Sequence, residues 1–290
     1  MQPLELGTSP AGLSETQREA LISLLTDDDP AIHQMVRSRL LSYGQAARDW
    51  LRPHTLSDNP VLRRRAREII GHQNREAADG QFLDFCRRHG EDFDLEEATG
   101  LLAHTRYPDL NLDAYTALYD LWAEQLRERL VPGQSARETL AILNRFLFEE
   151  LGFTGYEQYN DDVDCCYLNR VVDRRRGNPI GLCAIYLFVT RRLQLPVTGI
   201  GLPGHFICRY QSSTEEIYLD CFRKGAFLTK RDCYSFLLRS HFDLSDRLLS
   251  PVSTRLMLLR MCNNLHQTYA QLEMREESQR VRRYVMALTR

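Results

Sequence analysis

Three side chains in this sequence carry groups that together could activate a thiol: Cys183, His205 and Asp220. A thiol attacks an acyl carbon as its thiolate, and the first turn of a helix stabilises that anion through free N–H groups and the helix dipole. A histidine takes and returns the proton, and a carboxylate orients the imidazole. Such a set would catalyse acyl transfer: peptide hydrolysis, deamidation or amide exchange. The order along the chain, a thiol on a helix, then an imidazole and a carboxylate on two strands, suits this chemistry.

The surrounding residues name the elements that would position the three. Asn178-Pro179 reads as an N-cap followed by proline at the first helical position. The helix behind it runs through Ala184, Leu187 and Val189 to about Gln194, where Pro196 ends it. Val197 to Gly201 reads as a strand, Leu202-Pro203-Gly204 as a turn and His205 to Tyr210 as a second strand. Glu216 to Asp220 pairs with it as a hairpin across Gln211-Ser212-Ser213-Thr214, and Ala226 to Thr229 adds a short strand. Upstream, Gly155 to Asp164 is a polar, aromatic loop, and Tyr167 to Arg176 a short helix stopped by Gly177.

Several of these stretches resemble the SirB-type transglutaminase-like family: Arg175-Arg176-Gly177-Asn178-Pro179-Ile180, Arg191-Arg192-Leu193-Gln194-Leu195-Pro196, Leu202-Pro203-Gly204-His205-Phe206 and Leu219-Asp220-Cys221-Phe222. Leu147-Phe148-Glu149-Glu150-Leu151-Gly152-Phe153 and Tyr167-Leu168-Asn169-Arg170-Val171 are also similar to it. The resemblance covers about residues 15–235 and implies a papain- or transglutaminase-like core with a Cys-His-Asp layout. It implies that His205 is the base and Asp220 its orienter, with the nucleophile at the helix start. Counting back from Leu195-Pro196 by the superfamily's spacing puts that position at Pro179, not at a cysteine. Cys183 lies four residues further on, about 6 Å along the helix axis at ~1.5 Å per residue. Catalytic geometry tolerates errors of roughly 1 Å, and N–H groups inside a helix are already bonded. Leu182 and Ala184 flank the cysteine, so packing is its expected role. The expectation is a transglutaminase-like protein without its nucleophile, acting as a binding or regulatory module for a protein or peptide partner. The alternatives are a thiol enzyme using Cys183, His205 and Asp220, and a helical scaffold whose α+β core is structural only.

The rest of the chain reads as helix. Residues 1–12 are expected as a loose tail, after which Ser14-Glu15-Thr16-Gln17 is a capping box. Asp28-Asp29-Pro30 and Asp58-Asn59-Pro60 recur thirty positions apart, followed by matched apolar positions: Ala31 with Val61, Ile32 with Leu62, Val36 with Ala66, Leu40 with Ile70. They read as a two-copy helical repeat. Residues 80–151 are expected as helical throughout, with starts at Asp94 and Ser135, a core stripe of Trp122, Leu126 and Leu130, and Gly152 as the C-cap. Residues 252–271 and 275–288 read as a helical hairpin of tetratricopeptide-like kind. The fold class is thus α+β and mostly helical. Its expected divisions are a helical region 13–151, a transglutaminase-like core 152–235 and a C-terminal hairpin 236–290.

Composition narrows the partners. The formal net charge of −2 and pI near 6.5 lack the basic excess of a nucleic-acid binder. The basic runs Arg63-Arg64-Arg65, Arg174-Arg175-Arg176 and Arg191-Arg192 sit in helical patterns beside acids and are expected as solvated faces. No apolar run approaches the ~18 residues of a membrane span. The N-terminal residues lack the pattern of a signal peptide, making cytoplasm the expected compartment. The eight cysteines are scattered with no C-x-x-C pair, so reduced thiols are expected, with no metal and no cofactor. The oligomeric state is left open.

Overall fold

Helix-start chemistry organises the first part of the computed structural model, which describes residues 13–240 and 246–289. The loose tail expected over 1–12 lies outside the described residues. The chain divides after Gly80 into two compact units. In the first, α1 (Glu15–Ser23) opens on the Ser14–Gln17 capping box. Helix α2 (Pro30–Ser42) begins with Asp29 accepting the Ala31 N–H at 2.8 Å. Helix α3 (Gln45–Leu51) follows Gly44, whose φ of 53° makes the sharp turn. Helix α4 (Pro60–Arg88) starts as α2 does, with Asn59 accepting from Val61 N–H at 2.9 Å and Leu62 N–H at 3.2 Å. Ile22, Leu25, Val36, Leu40, Ala47, Leu51, Ala66 and Ile69 form this unit's core.

In the second unit the stretch 80–151 is not helical throughout. Helices α5 (Leu95–His104), α6 (Leu112–Arg127) and α7 (Ala136–Asn144) are separated by irregular joins. Gly90 falls between α4 and α5, and Pro108 and the Pro132-Gly133 pair fall in the two later joins, where they break helical hydrogen bonding. Asp94 caps α5 and a Ser135–Glu138 capping box starts α7. A π-helical turn, Arg145–Glu150, ends where Gly152 adopts φ 75° and Phe153 N–H bonds to the Leu147 carbonyl at 3.0 Å.

The chain then makes a two-residue parallel pair, β1 (Thr154–Gly155) with β2 (Arg176–Gly177), around α8 (Leu168–Arg174). The helix expected to reach Arg176 stops earlier because Arg175, not Gly177, takes the left-handed conformation, at φ 54°. Its guanidinium stacks over Trp122 and Phe153, 4.9 and 4.7 Å from the ring centroids. Gly177 serves close approach instead: a Cβ there would stand 2.7 Å from Val171 Cγ1.

Helix α9 (Pro179–Arg192) is buried on nearly every side, from Pro179 to Thr190 with only Leu187 half-exposed. It packs on an antiparallel sheet whose strands lie in chain order: β3 (Val197–Leu202), β4 (His205–Gln211), β5 (Glu216–Asp220) and β6 (Ala226–Leu228). Gly204, at φ 69°, closes the turn that sets Leu202 opposite His205. Helix α10 (Lys230–Arg239) was not anticipated, although Thr229 and Asp232 form a capping box at its start. Helices α11 (Thr254–Gln271) and α12 (Arg275–Leu288) pack along each other across a turn with Glu273 at φ 57°. Buried Arg255 donates to Leu288 O and Ala287 O at the end of α12, and to Cys86 O and His89 O at the end of α4. One guanidinium thereby satisfies carbonyls that two helix ends leave open. One core runs from Phe82 to Leu288, joining the end of α4 and helices α5, α6 and α7 to α9 and the inner face of the sheet. No helix among the described residues is long and apolar enough to cross a membrane.

Candidate functional site

The sheet brings His205 and Asp220 together because one opens β4 and the other closes β5. His205 Nε2 lies 3.0 Å from Asp220 Oδ2. The other carboxylate oxygen accepts the Phe222 N–H at 3.1 Å and the Arg223 N–H at 3.3 Å, capping the 3-10 turn Cys221–Arg223. Asp220 is 3% exposed, so its orientation is fixed from both ends. The His205 ring is held edge-on to Phe222 at 6.0 Å and tilted against Phe236 at 5.7 Å. With Nε2 engaged by the carboxylate, Nδ1 is the ring nitrogen left for other work.

His205 and Asp220 line a cavity of about 440 Å³ with Pro179, Tyr159, Phe222 and Phe236. Pro179 enters it because Asn178, itself buried, caps α9 by accepting the Gly181 N–H at 2.8 Å. The helix start that the sequence places here is therefore present, and a proline ring shares the cavity wall with the oriented imidazole.

Cys183 is not brought to this cavity. Its sulfur is wholly enclosed, 3.6 Å from the Phe206 carbonyl oxygen, and burial pushes its thiol well above the ordinary range. A thiol there is neither accessible nor activated. The cysteine that does line the cavity is Cys233 on α10, which the sequence reading passed over. It too is buried, and burial pushes its thiol up to about 12. The arrangement can hydrogen-bond a ligand at His205, and neither Cys183 nor Cys233 presents an exposed thiol to that imidazole.

Behind the site the sulfurs of Cys183, Cys208 and Cys221 all lie within 4.8 Å of one another. They come from α9, β4 and the residue after β5, and form the one group of potential metal ligands among the described residues.

The basic runs are solvated in part, Arg64 and Arg191 being well exposed, while other members are paired. Arg174 contacts Asp162 at 2.7 Å and Asp164 at 3.0 Å. Arg192 reaches both Glu96 oxygens, at 2.7 and 3.0 Å, and Asp120 at 2.5 Å. Arg191 adds Asp94 at 3.1 Å. Arg65 donates to the Asp27 carbonyl at 2.9 Å and also to that of Leu25. For Arg174 and Arg192, acids close in space but distant in sequence took the place of water.

Residues 113–263 match the family model of the transglutaminase-like superfamily. A UPF0162 protein of Xylella fastidiosa (strain 9a5c) is 34% identical over 178 residues, 59% of this chain and 63% of that protein. F-box only protein 21 of Mus musculus is 31% identical over 136 residues, 44% of this chain but 21% of that protein. Protein SirB1 of Salmonella typhimurium is 28% identical over 107 residues, 37% of this chain and 38% of that protein. The chain thus spans less than two thirds of the curated relatives it matches. No solved structure matches it significantly.

Proposed function

The chain belongs to the transglutaminase-like superfamily, and from that premise we propose that it binds a peptide segment of a partner protein without transforming it. One observation carries this reading: the cavity that holds the oriented His205–Asp220 pair is walled by Pro179, while Cys183 lies sealed in the core. A carboxylate-braced imidazole is a useful hydrogen-bonding group even with nothing to activate. Tyr159, Phe222 and Phe236 beside it offer the apolar contact that peptide side chains seek. The use of Cys183 as a nucleophile would require its sulfur to leave a fully buried position, which weighs against that alternative. The match to a small portion of F-box only protein 21 supports a core that works as one part of a larger protein.

The test is a titration of isotope-labelled protein with a degenerate peptide pool, read at the His205 and Phe222 resonances. The expected result is saturable shifts, lost in His205→Ala, with every peptide recovered unaltered by mass spectrometry. Recovery of cleaved, deamidated or cross-linked peptide from the wild type but not from His205→Ala would sink the reading.

A further inference from the structure

We propose that Cys183, Cys208 and Cys221 form a buried three-sulfur site for one soft monovalent cation, copper(I). The geometry suits it. Metal–thiolate bonds are about 2.3 Å long, so three sulfurs in a plane around one ion stand about 4.0 Å apart. Here the Cys208 and Cys221 sulfurs are 3.8 Å apart and all three fall within 4.8 Å. Thiolates select soft ions, and zinc would ask for a fourth, tetrahedral ligand. No further histidine, cysteine or carboxylate joins the group among the described residues.

Two neighbours point independently to an anionic centre at this place. Tyr186 lies one turn after Cys183 on α9, fully buried, and its hydroxyl has no hydrogen-bond partner. A buried O–H without an acceptor calls for an explanation, and a metal-bound thiolate is a strong acceptor. Arg260, half-buried with its guanidinium 5.6 Å over the Phe206 ring, makes no ion pair with a carboxylate among the described residues. The same Phe206 supplies the carbonyl oxygen 3.6 Å from the Cys183 sulfur. Arg260 would balance part of the negative charge that three thiolates and one monovalent ion leave behind. Each ligating thiol gives its proton to solvent as its sulfur bonds the ion, with no change in oxidation state. Since all three sulfurs are enclosed, the ion enters while the chain folds.

The experiment refolds the full chain anaerobically, with a reductant, in the presence of copper(I) buffered by bathocuproine disulfonate. One equivalent is expected to be retained by the wild type and by Cys262→Ala. Cys208→Val and Cys221→Ala, checked for folding by circular dichroism, are expected to lose more than about 100-fold in affinity, and Tyr186→Phe about tenfold. Equal retention by Cys208→Val and the wild type, or retention of zinc(II) but not copper(I), overturns the proposal. Should both cysteine variants fail to fold, X-ray absorption of the loaded wild type decides. One shell of three sulfurs supports the site, and two or fewer overturn it.

Discussion

Asp220 lies 3.0 Å from His205 through one oxygen and caps the turn that follows β5 through the other. The carboxylate therefore links the imidazole to the backbone at Phe222, and its two jobs can be separated by substitution. Asp220→Ala removes both and is expected to lower stability by about 2–4 kcal/mol, as for a buried, charged hydrogen-bonding group. Asp220→Asn keeps the capping oxygen and should lose about half as much. Urea midpoints of the two variants check this, and equal losses would refute the division.

Pro179→Cys is expected to create a reactive thiol. The new sulfur would sit at the first turn of α9, in the cavity that holds His205. The native cysteines are all buried and should resist iodoacetamide between pH 6 and 9, as in the wild type. The introduced thiol should label at least about tenfold faster than any of them near pH 7, and lose that advantage in Pro179→Cys/His205→Ala. Mass-spectrometric mapping of the label reads both outcomes, and fast labelling of Cys183 in the wild type would contradict the site described above.

Acid stability should depend on Asp164. Burial works against its ionisation, but the Tyr107 hydroxyl at 2.7 Å and the Arg170 and Arg174 guanidiniums outweigh it and hold the carboxyl below its usual range. A folded-state value below the unfolded one contributes stability that is complete above the unfolded value of about 3.9 and disappears as pH falls through the folded one. Asp164→Asn should therefore be less stable than the wild type at pH 6, with the gap closing below about pH 4. Parallel urea titrations from pH 2.5 to 6 give the difference, and a gap that widened in acid would reverse the assignment.

Arg192 joins the end of α9 to the start of α5 and to α6 through Glu96 and Asp120. Its side chain is 14% exposed and that of Glu96 12%, so this pair is largely desolvated. Arg192→Ala is expected to lose about 2–4 kcal/mol because it leaves Glu96 short of a partner. Arg192→Lys should restore only part, since one ammonium cannot hold Glu96 and Asp120 together as the planar fork does. Thermal melts of the three proteins at low and high salt read the effect, which should change little with salt.

Much of the site was legible in the chain. Pro203-Gly204 and the polar tip at 211–214 bracket β4, so His205 at one strand's start and Asp220 at the next one's end follow from turn chemistry. Asn178-Pro179 gave the start of α9 for the same kind of reason. The sulfur trio was not legible, because its members are separated by 25 and 13 residues and meet only through the packing of a helix on a sheet. Arg175 was missed as a left-handed residue because glycine is the usual occupant there, and only the Trp122 and Phe153 rings single out an arginine. Helix α10 has a capping box at Thr229 and Asp232 that is readable in the sequence, but it follows directly on the short strand β6 that masks it.

Arg255 has a consequence for the order in which the second unit can be made. Its bond to the Cys86 carbonyl closes a loop of 169 residues, and its bonds to Ala287 and Leu288 draw in the last helix. A nascent chain emerging from the ribosome cannot complete this set of bonds until α12 is out, so the unit should assemble late and as a whole. Contacts of such long sequence separation slow folding. A fragment that stopped within α11 would strand the guanidinium in an apolar core without its α12 carbonyls, and should behave as a collapsed, aggregation-prone species rather than a smaller domain.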